Sequence, residues 1–125
     1  MNQEDIYSTV PEEAFLQKCE EPEHRRPILE FLQYNTGKFF TAKQIAKECG
    51  FPTTGTQVEV RKAITLLLEI DKQPIMSMVR GYGYVTTRSQ MNFYADALEE
   101  RLKGLLRRIQ VVREIALDLE DPEWN

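Results

Sequence analysis

Cysteine and histidine, the residue types typical of zinc sites and disulfides, are scarce in this chain of 125 residues, which has two cysteines and one histidine. Cys19 and Cys49 form no Cys-x-x-Cys pair, and His24 has no second histidine to act with. These absences exclude the usual zinc-ligand spacings and favour a reducing, cytoplasmic environment. We therefore expect no metal, no cofactor and no particular role for His24.

Long apolar runs are also missing, since none approaches the roughly 18 residues that a membrane-spanning helix needs. The opening MNQEDIYSTVPEE is acidic and polar, whereas a secretory signal is basic and then apolar. No glycine-rich phosphate-binding loop and no Cys/His pair of a catalytic nucleophile is present. We expect a cytoplasmic protein that is not an enzyme, contacts no membrane and binds no small-molecule ligand.

Charge is distributed unevenly, although the net value is only −4. Residues 1–23 hold seven acidic residues and one basic residue, and residues 118–125 hold four acidic residues and no basic one. Between them, residues 24–117 hold fifteen Lys or Arg against nine Asp or Glu. A basic centre between acidic ends suits a nucleic-acid partner, but an ordinary solvated surface has the same composition. Charge alone leaves the partner open.

An amphipathic helix is predicted from Pro27, a residue that suits the first turn of a helix. Its apolar side chains are Ile28, Leu29, Phe31 and Leu32. The turn at residues 35–37 ends this helix, with Gly37 as a left-handed cap. Residues 38–40 then leave room only for a short strand.

Two capping-box patterns follow, at Thr41–Gln44 and at Thr56–Glu59. The first predicts a short helix that stops at Gly50. The second predicts a longer helix to about Ile70, in which Glu59 serves the cap. The expected buried stripe of the longer helix consists of Val60, Ile64, Leu67 and Leu68.

A β-hairpin is predicted next, with strands at Ile75–Val79 and Tyr84–Thr87 around a tip at Arg80–Gly83. The order helix, short strand, short helix, turn, longer helix, hairpin is that of a winged helix-turn-helix. We therefore predict a mainly α fold with a small β-hairpin, in which a winged helix-turn-helix domain spans residues 24–87.

In such a domain the longer helix enters the major groove with its polar face toward the bases. Gln57 and Arg61 are types that hydrogen-bond adenine and guanine edges. Thr56, Lys62 and the start of the preceding helix suit phosphates, and Arg80 suits a minor groove or the DNA backbone. The predicted DNA-binding residues are Thr41, Lys43, Thr56, Gln57, Arg61, Lys62, Thr65 and Arg80.

One long helix is predicted at residues 88–119, with Ser89 as its cap. Its apolar residues recur in alternating steps of four and three, as in a coiled coil: Met91, Ala95, Leu98, Leu102, Leu105, Ile109, Val112, Ala116 and Leu119. At ~1.5 Å per residue the helix is about 45 Å long, more than one small domain covers. We expect a homodimer through Leu98, Leu102, Leu105, Ile109 and Val112; the alternative is a brace across the domain's own first helix.

Four segments result. They are an acidic N-terminal segment (1–23) with a short helix from Ser8 to about Cys19, the domain (24–87), the long helix (88–119) and an acidic tail (120–125).

Three stretches, VRKAITLLLE, PIMSMVRGYGYVTT and YADALEERLKGLLRRIQ, resemble small winged-helix DNA-binding proteins of bacteriophages and prophages. The resemblance lies in the core pattern of the longer helix, in the form PI.S...GY near Pro74–Tyr84 and in the helix at Leu98–Arg108. It covers about residues 25–115. It implies a DNA-binding fold in a viral or mobile-element setting, in the cytoplasm of a bacterial host, and specifies no operator.

The favoured hypothesis is a homodimeric, sequence-specific double-stranded DNA-binding protein that regulates transcription or replication. The alternative is an adaptor that uses the same domain and long helix to bind a host or phage protein, which the acidic ends would suit. The target site and the direction of regulation are not readable from the residues.

Overall fold

The computed structural model describes residues 20–122. Within them the chain is mainly helical, with four helices and one antiparallel β-hairpin, as the sequence predicts. The elements are α1 Pro22–Tyr34, α2 Ala42–Cys49, α3 Val58–Glu69, β1 Ile75–Met78, β2 Gly81–Tyr84 and α4 Arg88–Leu117. The short helix expected between Ser8 and Cys19 lies outside the described residues. No helix in the described range is both long and apolar enough to cross a membrane.

The first helix begins earlier than expected. Glu21 is the extended N-cap of α1, and Pro22 occupies the first turn, so Pro27 lies inside the helix. Proline is tolerated in a first turn because the N–H that it lacks has no helical partner there. The expected left-handed conformation of Gly37, with a φ of 87°, is confirmed after the end of α1.

The capping box of α2 is confirmed. The Thr41 hydroxyl accepts a hydrogen bond from the Gln44 N–H at 3.2 Å, and the Gln44 side-chain oxygen accepts one from the Thr41 N–H at 2.7 Å. Gly50 ends the helix in the left-handed conformation. Two end-of-helix donors are thereby satisfied in a helix of only eight residues.

The capping box expected at Thr56 is wrong. The N-cap of α3 is Gln57, which has a φ of 53° and makes no side-chain capping bond. Its amide instead donates to the carbonyl oxygens of Thr53 and Gly55, each at 2.9 Å. The α2–α3 turn is therefore closed by Gln57, and Glu59 binds another element instead.

One core joins α1, α2, α3 and the hairpin. The expected stripe of α3 is largely confirmed, because Val60, Ile64 and Leu67 are buried and Leu68 is half-buried. The cluster of buried core residues consists of Ile28, Leu32, Ala42, Ile45, Ala46, Val60, Ala63, Ile64, Leu67 and Ile75. This packing fixes which face of α3 points outward.

The hairpin turns earlier than expected. Ile75 pairs with Tyr84 and Met78 with Gly81, so only Val79 and Arg80 form the turn. A Cβ on Gly81 would lie 2.1 Å from the Phe40 carbonyl oxygen. The glycines taken for a tip therefore belong to β2, because that strand lies against the backbone of residues 38–40. Phe40 and Tyr82 exchange two backbone hydrogen bonds there, of 2.9 and 2.8 Å.

The long helix is present, with small changes at its ends. Thr87 rather than Ser89 is the N-cap of α4, and it forms a capping box with Gln90. The helix ends at Leu117. It packs against β1 near its beginning, and none of its residues is buried within one chain.

Candidate nucleic-acid interface

The outer face of α3 carries two of the residues expected to contact DNA. Arg61 and Thr65 are exposed, while Val60, Ala63 and Ile64 anchor the opposite face in the core. The Thr65 hydroxyl donates to the Arg61 carbonyl oxygen at 3.0 Å. Among the described residues no carboxylate forms an ion pair with Arg61, so its guanidinium is available to a ligand.

The same face borders a groove of about 300 Å³. α3, the hairpin and α4 form its walls, and Arg61 and Thr65 lie on its edge. Its remaining lining residues are Ile64, Leu68, Glu69, Ile75, Ser77, Tyr82, Tyr94 and Leu98. The outer stripe of α3 therefore faces an opening that is partly apolar and that α4 limits on one side.

The other expected residues on or before α3 are less available. Lys62 is half-buried, and Thr56 is exposed within the turn. The donors of the Gln57 amide are already used on two turn carbonyls. A paired contact of Gln57 with an adenine edge would require these bonds to break, because such a contact uses both a donor and an acceptor.

A second group of expected residues lies at the hairpin turn. Gly81 lies against the backbone of Phe40 and Thr41, so the hairpin turn that contains Arg80 lies beside the start of α2. Thr41, Lys43 and Arg80 are all exposed. A helix N-terminus with nearby cations attracts anions, so this group is suited to a phosphate.

The two groups lie on different faces of the hairpin. Ser77 lines the groove beside Arg61, whereas Met76 and Met78 line a hollow with Arg80. The Arg80 guanidinium carbon lies 5.0 Å from the centre of the Phe39 ring, a cation–π distance. The residues expected to form one interface thus form an α3 group and an α2–hairpin group, which a bound duplex would have to span.

A contact that the sequence did not reveal joins α1 to the start of α3. Nε2 of His24 hydrogen-bonds Oε2 of Glu59, and the His24 ring meets the edge of Phe51 with centres 5.2 Å apart. The expectations that His24 has no role and that Glu59 caps α3 are therefore wrong. The pair draws a carboxylate inward, away from the outer face of α3 where it would repel phosphate.

The same region contains Cys49. Burial, together with the neighbouring Glu48 carboxylate, raises the pKa of the Cys49 thiol to about 11. The thiol donates to the Pro27 carbonyl oxygen at 3.7 Å. Cys49 is thus a protonated, half-buried packing residue near neutral pH.

A second ion pair ties α1 to the end of α3. Arg25 donates from Nε and Nη2 to the two carboxylate oxygens of Asp71, at 2.7 and 2.9 Å. These hydrogen bonds hold the pKa of Asp71 below its ordinary value. Arg25 is only 3% exposed, so this guanidinium is structural.

The residues expected to form a dimer are exposed on α4. Leu98, Leu102, Leu105, Ile109 and Val112 keep between 39% and 57% of their surface in contact with solvent. Of the α4 residues, Tyr94 and Leu98 line the groove beside Arg61. The alternative of a brace across α1 receives no support, since α4 packs on β1.

Comparisons with protein-family models, curated proteins and solved structures return no match.

Proposed function

We propose that this chain is a winged helix-turn-helix protein that binds double-stranded DNA sequence-specifically as a homodimer. By its resemblance to phage and prophage proteins, its role would be the regulation of transcription or replication. The observation that carries the proposal is the division of α3 into a core-anchored face and an outer face with an exposed Arg61, which forms no ion pair within residues 20–122. A helix held in this way can enter a major groove, and arginine is the commonest reader of guanine there.

The α2–hairpin group supports the proposal from a second side. Lys43 lies in the first turn of α2, and Arg80 lies in the hairpin turn next to Gly81, which lies against Thr41. In a helix-turn-helix the first helix crosses the DNA backbone while the wing contacts the neighbouring groove or phosphates. We assign phosphate contacts to this group and base contacts to Arg61.

A specific feature also favours the adaptor as a second candidate. The groove beside Arg61 has apolar walls that include Leu68, Tyr82 and Leu98. An apolar groove with a charged edge suits an amphipathic segment of another protein. A stoichiometric protein partner, combined with no DNA shift at low salt, would establish this function instead.

The experiment is a selection on random DNA duplexes, followed by gel shifts of the enriched sequence. The variant Arg61→Ala should weaken binding by roughly 5- to 150-fold, the loss of one good paired base contact. It should also relax the preference at one base position of the site.

Arg107→Ala is the matched control, because Arg107 is exposed on α4, away from both groups. It should leave the affinity for the selected duplex unchanged. If the selection enriches no sequence and Arg61→Ala binds like the parent chain, the DNA-binding proposal is wrong.

A further inference from the structure

The apolar face of α4 has no cover within one chain. Leu102 and Val112, for example, are 54% and 57% exposed. Numbered as heptads, the stripe has Ala95, Leu102, Ile109 and Ala116 at a positions and Met91, Leu98, Leu105, Val112 and Leu119 at d positions. A stripe this long on a soluble helix is typical of a seam that a second helix covers.

We propose that a second copy of the chain covers this face and that the two α4 helices run antiparallel. The register places Leu102 opposite the partner's Val112 and Leu105 opposite the partner's Ile109. The two-fold axis then crosses the seam at the level of residue 107, between the Leu106 pair and the Arg108 pair. The inference rests on the homodimer contained in the proposed function, but it does not depend on DNA binding.

Side-chain size favours the antiparallel pairing. In a parallel pair Ala95 would face the partner's Ala95, and Ala116 would face the partner's Ala116, which leaves two layers of small side chains. In the antiparallel register Ala95 faces the partner's Leu119, and Leu98 faces the partner's Ala116. Every layer between them then contains at least one large side chain, as close packing requires.

The flanking charges favour the same direction. In a parallel pair a g residue lies beside the e residue of the partner's next heptad, which places Arg108 beside the partner's Arg113 on both sides. In the antiparallel pair e residues lie beside e residues. Glu99 then lies beside the partner's Arg113 twice. Two attractions thus replace the two repulsions between Arg108 and Arg113, and one contact between the two Arg108 side chains is added.

Charge also selects the register. Sliding the antiparallel helices by one heptad, so that Leu102 faces the partner's Leu105, would bring Arg101 beside the partner's Arg108 on both sides. In the proposed register only Arg108 meets its own copy, once, near the two-fold axis. The proposed register therefore has the fewest like-charge contacts.

Leu106 is explained by the same arrangement. It is 57% exposed and lies outside the a and d positions, at position e. In a parallel pair it would lie beside the partner's Arg101. In the antiparallel pair it meets the partner's Leu106 at the two-fold axis, which widens the apolar seam at its centre.

Cysteine cross-linking tests the direction and the register together. In a chain whose Cys19 and Cys49 are replaced by alanine, Leu102→Cys and Val112→Cys are made as separate variants, one with a size tag. A disulfide needs Cα atoms within about 7 Å. Neither variant should cross-link to itself under mild oxidation, and the mixture should form a disulfide between the two. Leu102→Cys mixed with Leu105→Cys is the register control and should not cross-link.

Self-cross-linking of Leu102→Cys, without the mixed product, would overturn the proposal in favour of a parallel dimer. A monomeric mass of the parent chain at micromolar concentration in the ultracentrifuge would overturn the dimer itself. Neither result bears on the duplex selection, so a failure here is distinguishable from a failure of DNA binding.

A charge variant keeps the test independent of the cysteines. Arg113→Glu should raise the dimer Kd several-fold at low salt, because it places two carboxylates beside each other, and adding Glu99→Arg should restore the dimer. In a parallel pair Arg113→Glu would relieve the contact with Arg108 instead. A dimer tightened by Arg113→Glu would therefore contradict the antiparallel arrangement.

Discussion

At the scale of single residues, the placement of α3 depends on two polar contacts, one at each of its ends. His24 binds Glu59 in the first turn, and Arg25 binds Asp71 just beyond the last turn. Both partners on α1 are adjacent residues of its first turns. α1 therefore holds α3 near both of its ends, as the proposed insertion of its outer face into a DNA groove would require.

The Arg25–Asp71 pair yields a prediction for stability. Asp71→Asn should lower the free energy of unfolding by about 1.5–3 kcal/mol at pH 7, the usual range for a hydrogen bond to a charged group. Glu69→Gln is the control, because Glu69 is exposed and makes no ion pair within the described chain. Surface changes of this kind usually stay within about 0.5 kcal/mol. Urea unfolding of the parent chain and of the two variants measures both changes in the free energy of unfolding.

The same pair has a pH dependence of known sign. Arg25 lowers the pKa of Asp71 in the folded chain, so folding favours the ionised carboxylate. The stabilisation is present above the ordinary pKa of 3.8 and is lost as the pH falls through the lower folded value. The stability difference between the parent chain and Asp71→Asn should therefore shrink from pH 7 to pH 3. An unchanged difference would exclude a contribution from ionisation.

At the scale of elements, α4 contains a residue of low helix propensity that destabilises the helix. Gly104 lies near the middle of α4, and an added Cβ would contact only the Arg107 side chain, at 3.7 Å. Gly104→Ala should therefore stabilise α4 by about 1 kcal/mol, the difference in helix propensity. Increased helicity by circular dichroism and a higher melting temperature are the measurements. A loss of stability would contradict a continuous helix through this position.

Helices and the hairpin were predictable because their signals are local. The Thr41–Gln44 box and the stop at Gly50 are confirmed, and the stripe of α3 is confirmed except at Leu68, which is half-buried; each signal comes from residues close together in the chain. The capping box predicted at Thr56 does not form, although its residues match the motif as well as those at Thr41. Gln57 closes the preceding turn and Glu59 binds His24, which lies 35 residues away in the chain. A local sequence pattern cannot predict a hydrogen-bond partner that only the tertiary fold brings close.

The predicted position of the hairpin turn was wrong for a related reason. Glycines usually indicate a turn, but Gly81 and Gly83 lie in β2 because the backbone of residues 38–40 leaves no room for a side chain. The candidate site shows the same limit. Exposed Arg61 was found from its residue type and helix position, and exposed Arg80 from its residue type and its place at the predicted hairpin tip. Their separation onto two faces of the hairpin depends on how that hairpin packs.

At the scale of the whole molecule, the basic centre predicts how binding responds to salt. Each phosphate contact adds about 0.9 to the slope of log affinity against log salt, because the bound cation releases a counterion. Lys43→Ala should reduce the slope by about 1 and weaken all duplexes alike. Arg61→Ala should instead act mainly on the selected sequence. Equal effects of both variants on random and selected duplexes would contradict the division into phosphate and base contacts.

The exposure of α4 within one chain makes protomer concentration a variable of the system. A helix whose apolar stripe is covered only by a second copy gains its stabilisation through mass action. Below the dimer dissociation constant, the amount of dimer rises with the square of the protein concentration. Occupancy of a DNA site with two half-sites would then change from low to high over a narrow range of protein concentration. The expression level of the chain would thus set the threshold for binding without a small-molecule effector.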